Sequence, residues 1–153
     1  MHEIEMMVVG LLLLPMALIA WSTFRYGISP MPSSSRAQKM MLSLVPGNTG
    51  ASFIELGSGW GQLAYKIAQT HPTKEVIGYE RSIIPYVFSR LVFRAPNLRF
   101  HYRDFLHEEF SQDSVLFCYL YPDGMKRLQQ HLRGSTVWVI SHCFAFDGHQ
   151  PKQ

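Results

Sequence analysis

Phe53-Ile54-Glu55-Leu56-Gly57-Ser58-Gly59-Trp60-Gly61-Gln62 is an apolar run that ends in three alternating glycines and resumes as Leu63, Ala64, Ile67 and Ala68 at helical spacing. A short apolar run bounded by glycine reads as a buried strand, here Ala51 to Leu56, and the pattern behind it as a helix over Gln62 to Thr70. Glycines at a strand-to-helix turn let the backbone bend sharply and let a ligand approach where a Cβ would stand. The helix N-terminus beyond presents unpaired amides. The spacing is not the dinucleotide pattern G-x-G-x-x-G, which needs glycine where Gln62 stands, and no G-K-[ST] follows, which excludes a P-loop.

Moving outward, Val76 to Tyr79 reads as a second strand that ends at Glu80, 19 residues after Gly61. A carboxylate at the carboxyl edge of a neighbouring strand is placed to accept both hydroxyls of a ribose. Ser82 opens a helix through about Arg94, with Ile83, Ile84, Val87, Phe88, Leu91 and Val92 apolar at positions three and four apart. Leu98 to Tyr102, Ser114 to Leu120 and Thr136 to Ser141 read as three further strands, and Met125 to Leu132 as the helix between the last two. Five strands separated mostly by helices predict an α/β domain over 51–153, its parallel sheet covered on both faces.

Composition narrows the remainder. The 153 residues have room for one domain, and 16% charged residues is below the roughly 25% usual for soluble chains. The net charge of +3 comes from scattered residues without a basic run, so no nucleic acid is expected. Cys118 and Cys143 lie in apolar stretches without CxxC spacing and read as reduced, buried thiols. His101, His107, His131, His142 and His149 show neither an i, i+4 pair nor HExxH, so no metal site is expected. His142, near the end of the fifth strand, could face the cleft on the acceptor side, but reads more readily as a structural imidazole.

Met6 to Phe24 contains no charged side chain and is apolar on every face; as a helix rising about 1.5 Å per residue it would nearly match a bilayer core. Pro15 is tolerable in such a helix. A cleaved signal would open with Lys or Arg, whereas Glu3 and Glu5 stand here. Residues 1–25 are therefore expected to be a single-pass transmembrane anchor. Arg25, Arg36 and Lys39 follow it, which places the domain in the cytoplasm. The span 26–50 holds a linker of turn formers, Gly27 to Ser35, and a short helix to about Val45 capped from Ser33 to Ser35.

Glu55-x-Gly57-x-Gly59-x-Gly61, with Ser58 inside it, resembles the first motif of class I S-adenosylmethionine-dependent methyltransferases, whose glycine loop lies against the methionine part of the cofactor. The resemblance extends to Tyr79-Glu80 for the ribose and to Arg103-Asp104-Phe105, where that class places an acid near the adenine amino group. It reaches Tyr119-Leu120-Tyr121-Pro122, which in the class borders the methyl group and the incoming nucleophile, and where aromatic walls can stabilise a sulfonium. With the apolar N-terminus, the Ser29-Pro30-Met31-Pro32 linker and Ser141-His142-Cys143-Phe144, nearly the whole chain is similar to small membrane-anchored protein-lysine methyltransferases. That family includes mitochondrial enzymes acting on the ATP synthase c-subunit and the adenine nucleotide translocase.

The resemblance implies a Rossmann-like, doubly wound sheet in order 3-2-1-4-5. It implies S-adenosylmethionine held by Glu55, Gly57, Ser58, Gly59, Gly61, Glu80 and Asp104, with Tyr119 and Tyr121 on the catalytic side and no metal. It also implies a lysine of a membrane protein as acceptor. The class normally adds a terminal antiparallel hairpin, for which Ala145 to Gln153 is too short and too polar. An open fifth-strand edge is expected, a place where a second copy can pair. A cofactor-binding protein without activity and an NAD-type oxidoreductase on the same fold are the other two readings.

Overall fold

The structure is a computed structural model that describes residues 2–26, 34–47 and 52–150, without the side chains at 15, 18, 19 and 22–26. Strands β1 (Ser52–Leu56), β2 (Glu75–Glu80), β3 (Leu98–Tyr102), β4 (Val115–Cys118) and β5 (Trp138–Ser141) form one sheet in the order β3-β2-β1-β4-β5. Every pairing is parallel, with Glu55 beside Gly78 on one side and Phe117 on the other. Phe53 to Leu56 and Val115 to Cys118 are buried throughout, as central strands covered on both faces must be.

The helices that follow the N-terminal helix α1 (His2–Tyr26) divide between the two faces. On one lie α2 (Ser35–Ser43), α3 (Gln62–Thr70) and α4 (Ile83–Val92). Met41, Leu63, Ala64, Ile67 and Ala68 pack there on Phe53, Val76, Val115 and Phe117. On the other face α5 (Pro122–His131) brings Met125 and Leu128, and a 3-10 turn (Phe105–His107) brings Phe105, onto Ile54, Leu56, Leu116 and Cys118. Ser34 caps α2, its side chain accepting the Ala37 amide at 3.2 Å. α5 starts three residues ahead of the expected Met125 because Pro122 suits the first helical position, where its missing N–H is not needed.

Two expectations change. The helix expected at the N-terminus is present as α1, but among the described residues no helix is long and apolar enough to cross a membrane. The linker expected from Gly27 to Ser35 lies outside the described residues as far as position 33. The other change concerns α4, which buries Pro85 and Ser89 while leaving most of its apolar residues exposed.

At the far edge, among the described residues, β5 pairs only with β4. The segment behind it turns back over α5: Phe146 packs on that side of the core, and Gln129 donates to the Asp147 carbonyl at 2.9 Å. It shares with β5 a groove of about 520 Å3 lined by Val139, Ser141, Cys143, Phe144 and Phe146 among others.

Candidate functional site

In an open parallel sheet, ligands bind outside the carboxyl ends of the strands where the strand order reverses, here between β1 and β4. The glycine loop leaves β1 at that point. Its first two amides, Gly57 N–H and Ser58 N–H, both donate to the Tyr79 carbonyl at 2.9 Å, and Gly61 N–H donates to the Ser58 carbonyl at 2.8 Å. Gly59 and Gly61 have φ of +51° and +85°, the left-handed region that side chains disfavour. Gly61 has a second reason: a Cβ there would lie 2.6 Å from Ser89 Cβ and 2.8 Å from the Phe100 ring. A Cβ on Gly59 would meet nothing within 4 Å.

Glu80 ends β2 and holds this loop. Its Oε2 accepts the Gly59 amide at 2.8 Å and its Oε1 accepts the Ser82 amide at 2.6 Å, with the side chain buried. Glu55 works from beneath, its Oε2 accepting the Ala64 amide in the first turn of α3 at 2.8 Å. Burial pushes the Glu55 carboxyl up to about 8, with the Ala64 hydrogen bond opposing and the charge of Glu80 adding to the rise. Glu55 is thus a strut between β1 and α3 whose burial favours the protonated form. Gly78 of β2 completes the packing, since a Cβ there would lie 2.7 Å from Phe100 and 3.0 Å from Ser58 Cβ.

Asp104 is engaged twice. Its Oδ1 accepts the Leu106 amide at 3.1 Å, capping the 3-10 turn, and its Oδ2 pairs with Arg81 at 2.9 Å. Tyr119 and Tyr121 stand exposed just beyond β4. The Tyr119 ring lies 4.9 Å from that of His142, whose amide donates to the Cys118 carbonyl at 2.9 Å. The neighbouring Cys143, foremost through the charge of its thiolate form, holds the Tyr119 phenol above its ordinary range, with some desolvation and a hydrogen bond to that sulfur adding to the effect. Tyr119 therefore offers a ring face and a neutral hydroxyl at neutral pH, not a base. Burial pushes the Cys118 thiol up to about 12, so that sulfur is inert packing. Cys143, expected to be buried, is exposed. Among the described residues no group of three or more His, Cys, Asp or Glu is placed to hold a metal ion.

Sequence reasoning missed the Ser82 amide, the Arg81 partner of Asp104 and the Cys143 neighbour of Tyr119. Gly78 alone carried a visible signal, since glycine inside an apolar strand marks a close approach.

These residues fit S-adenosylmethionine. The space in front of Gly59 is what a ligand lying on the loop requires. Each Glu80 oxygen accepts one amide and has a second lone pair for a ribose hydroxyl. Ser58 Oγ is buried without a hydrogen-bond partner among the described residues, and such an orphan calls for a ligand or water. The fold and this loop together define the class: Rossmann-like, S-adenosylmethionine-dependent methyltransferases.

The chain belongs to the ANTKMT methyltransferase domain family, whose model matches residues 55–153, well over half of its length. Its cofactor is S-adenosylmethionine. No curated protein matches the sequence significantly. Among solved structures the chain is similar to an RNA methyltransferase from Salinibacter ruber in complex with S-adenosyl-L-homocysteine, at 23% identity and a TM-score of 0.71 over 80% of this chain and 84% of that one. It is also similar to the plantazolicin methyltransferase BpumL, at 16% identity and a TM-score of 0.51 over 69% of this chain and 45% of that one. At these identities the likeness is one of fold.

Proposed function

We propose that this methyltransferase acts on a lysine side chain of a membrane-associated protein, with the domain on the cytoplasmic face. The observation that carries the acceptor reading is the Tyr119 and His142 ring pair, 4.9 Å apart at the open carboxyl ends of β4 and β5. An aromatic wall there suits the apolar stem and cationic product of an alkylated amine. The resemblance to membrane-anchored protein-lysine methyltransferases points the same way, as does α1, with Ile4, Met7, Leu11 and Leu14 exposed.

S-adenosylmethionine supplies a methyl already activated on a sulfonium. What the chain adds is orientation and a water-poor approach. Glu80 would hold the cofactor's ribose and the glycine loop its methionine end. The neutral Tyr119 hydroxyl and the His142 ring border the path of an unprotonated amine, whose proton leaves to solvent before attack. The open edge of β5 is a surface for pairing with a second copy, and sedimentation of the full chain in detergent tests it.

The direct test uses membranes from cells lacking the gene, incubated with the purified full chain and methyl-labelled cofactor. Label in one or a few membrane proteins, located on lysine by mass spectrometry, is the expected result. Label in lipid, nucleic acid or a small molecule would refute the lysine reading while leaving methyl transfer intact.

A further inference from the structure

The side chains α4 buries against the sheet are Pro85 and Ser89, and Ser89 lies directly under Gly61. At about 100° per residue the opposite direction falls on Ile83, Val87 and Leu91, which are 52%, 44% and 62% exposed. Arg90 of α4 and Arg94, just beyond its end, line one depression together with Val87 and Leu91. From Arg81 to Arg103 the sequence holds five arginines and neither Asp nor Glu. Arg81 and Arg103 pair with Asp104 and Glu108, whereas Arg90, Arg94 and Arg99 pair with no carboxylate among the described residues. With Val87, Leu91 and His101 these three arginines line a depression of about 760 Å3 beside β3. α1, whose apolar side chains Ile4, Met7, Leu11 and Leu14 are exposed, touches α4.

We propose that α4 is a second membrane contact, which lays Ile83, Val87 and Leu91 into the acyl boundary of a bilayer and sets Arg90, Arg94 and Arg99 against the phosphates of anionic phospholipid. An exposed apolar stripe bordered by arginines is the composition of a helix that lies in an interface, and arginine stems reach from such a stripe toward headgroups. A nucleic acid would engage the arginines and leave the stripe in water; a lipid surface satisfies both. The inference rests on the membrane-associated reading above and adds an orientation to it. Trp60 of the glycine loop packs edge-on against Phe88 at 5.1 Å, and the Ser82 amide ahead of α4 binds Glu80. A docked α4 therefore holds the cofactor site close to the membrane plane, where a membrane protein presents its acceptor.

The test uses the full chain carrying Val87→Cys, with Cys143→Ser so that an environment-sensitive dye labels position 87 alone, Cys118 being buried. The chain is mixed with vesicles of phosphatidylcholine, with or without one third phosphatidylglycerol, and flotation is read on the same samples. In anionic vesicles the dye should shift to the blue and be quenched by brominated lipid, several-fold more than in neutral vesicles. A dye at Lys126→Cys on α5 should stay in water. Arg90→Ala with Arg94→Ala and Arg99→Ala should cut the quenching about tenfold, with cofactor binding retained as proof of folding. A chain that floats while position 87 stays unquenched overturns the docking and leaves attachment through α1 standing; a chain that does not float overturns both. Equal quenching in neutral vesicles, or a lipid-free shift on adding single-stranded RNA, would also overturn the proposal.

Discussion

The Gly59 amide points at Glu80 Oε2 across 2.8 Å, so two residues 21 positions apart form one rigid unit at the mouth of the site. With Ser82 on the other oxygen, the carboxylate is held in a single orientation before any ligand arrives. Such preorganisation lowers the ordering cost of binding.

Two glycines of the loop should respond differently to the same added methyl. Gly61→Ala drives a Cβ to 2.6 Å from Ser89 and 2.8 Å from Phe100, and should lower the thermal midpoint markedly. Gly59→Ala meets open space, so only the left-handed backbone opposes it, at about 1 kcal/mol. It should fold and lose affinity for S-adenosylmethionine instead. Thermal unfolding and cofactor titration of both variants check the pair, and matching behaviour would contradict it.

Glu55 predicts a pH dependence of stability. Its folded pKa of about 8 lies above the ordinary 4.5, so between these values the folded chain keeps a proton that the unfolded chain releases. Stability from this group is therefore intact below the lower value and declines as pH rises through that window. Glu55→Gln keeps an acceptor for the Ala64 amide without the charge. Its stability relative to the parent should increase from pH 5 to pH 8 by a few kcal/mol, read as denaturation midpoints. A pH-independent difference would show that Glu55 is ionised in the fold.

The sheet was legible because each strand announces itself: β1 and β4 as apolar runs, β2 by its placement before Glu80. Glu80 itself was legible as a site residue, since its distance from the glycines fixes the neighbouring strand end. Its grip on Gly59 and Ser82 was not, because hydrogen-bond partners depend on side-chain torsions that spacing does not encode. Asp104 is instructive in the same way: Arg81 is 23 residues away in sequence, and only the alignment of β2 with β3 brings them together. In α4, periodicity identified the helix but not its buried face. Glycine at 61 and the Phe100 ring leave room for a small residue, so Ser89 faces inward and the larger apolar residues face out.

Tyr119 should matter for transfer and little for cofactor binding. Tyr119→Phe keeps the ring face and should retain most of the rate, whereas Tyr119→Ala should lower single-turnover methyl transfer by roughly tenfold if the ring stabilises cationic charge. The cofactor Kd should change less than the rate in both. A proportionate loss of cofactor affinity would instead make the ring part of the binding site.

The central claim, that the loop clamped by Glu80 is the S-adenosylmethionine site, is tested most directly by calorimetric titration of the full chain and its Glu80→Gln variant. The substitution sets an amide NH2 against a backbone donor and weakens the ribose contact, a loss on the order of 2 kcal/mol or more for a buried charged acceptor. The predicted result is saturable binding of S-adenosylmethionine to the parent, none of NADH, and an affinity roughly thirtyfold or more weaker in a folded Glu80→Gln chain. Equal affinity in parent and variant, or binding of NADH in place of S-adenosylmethionine, would contradict the account.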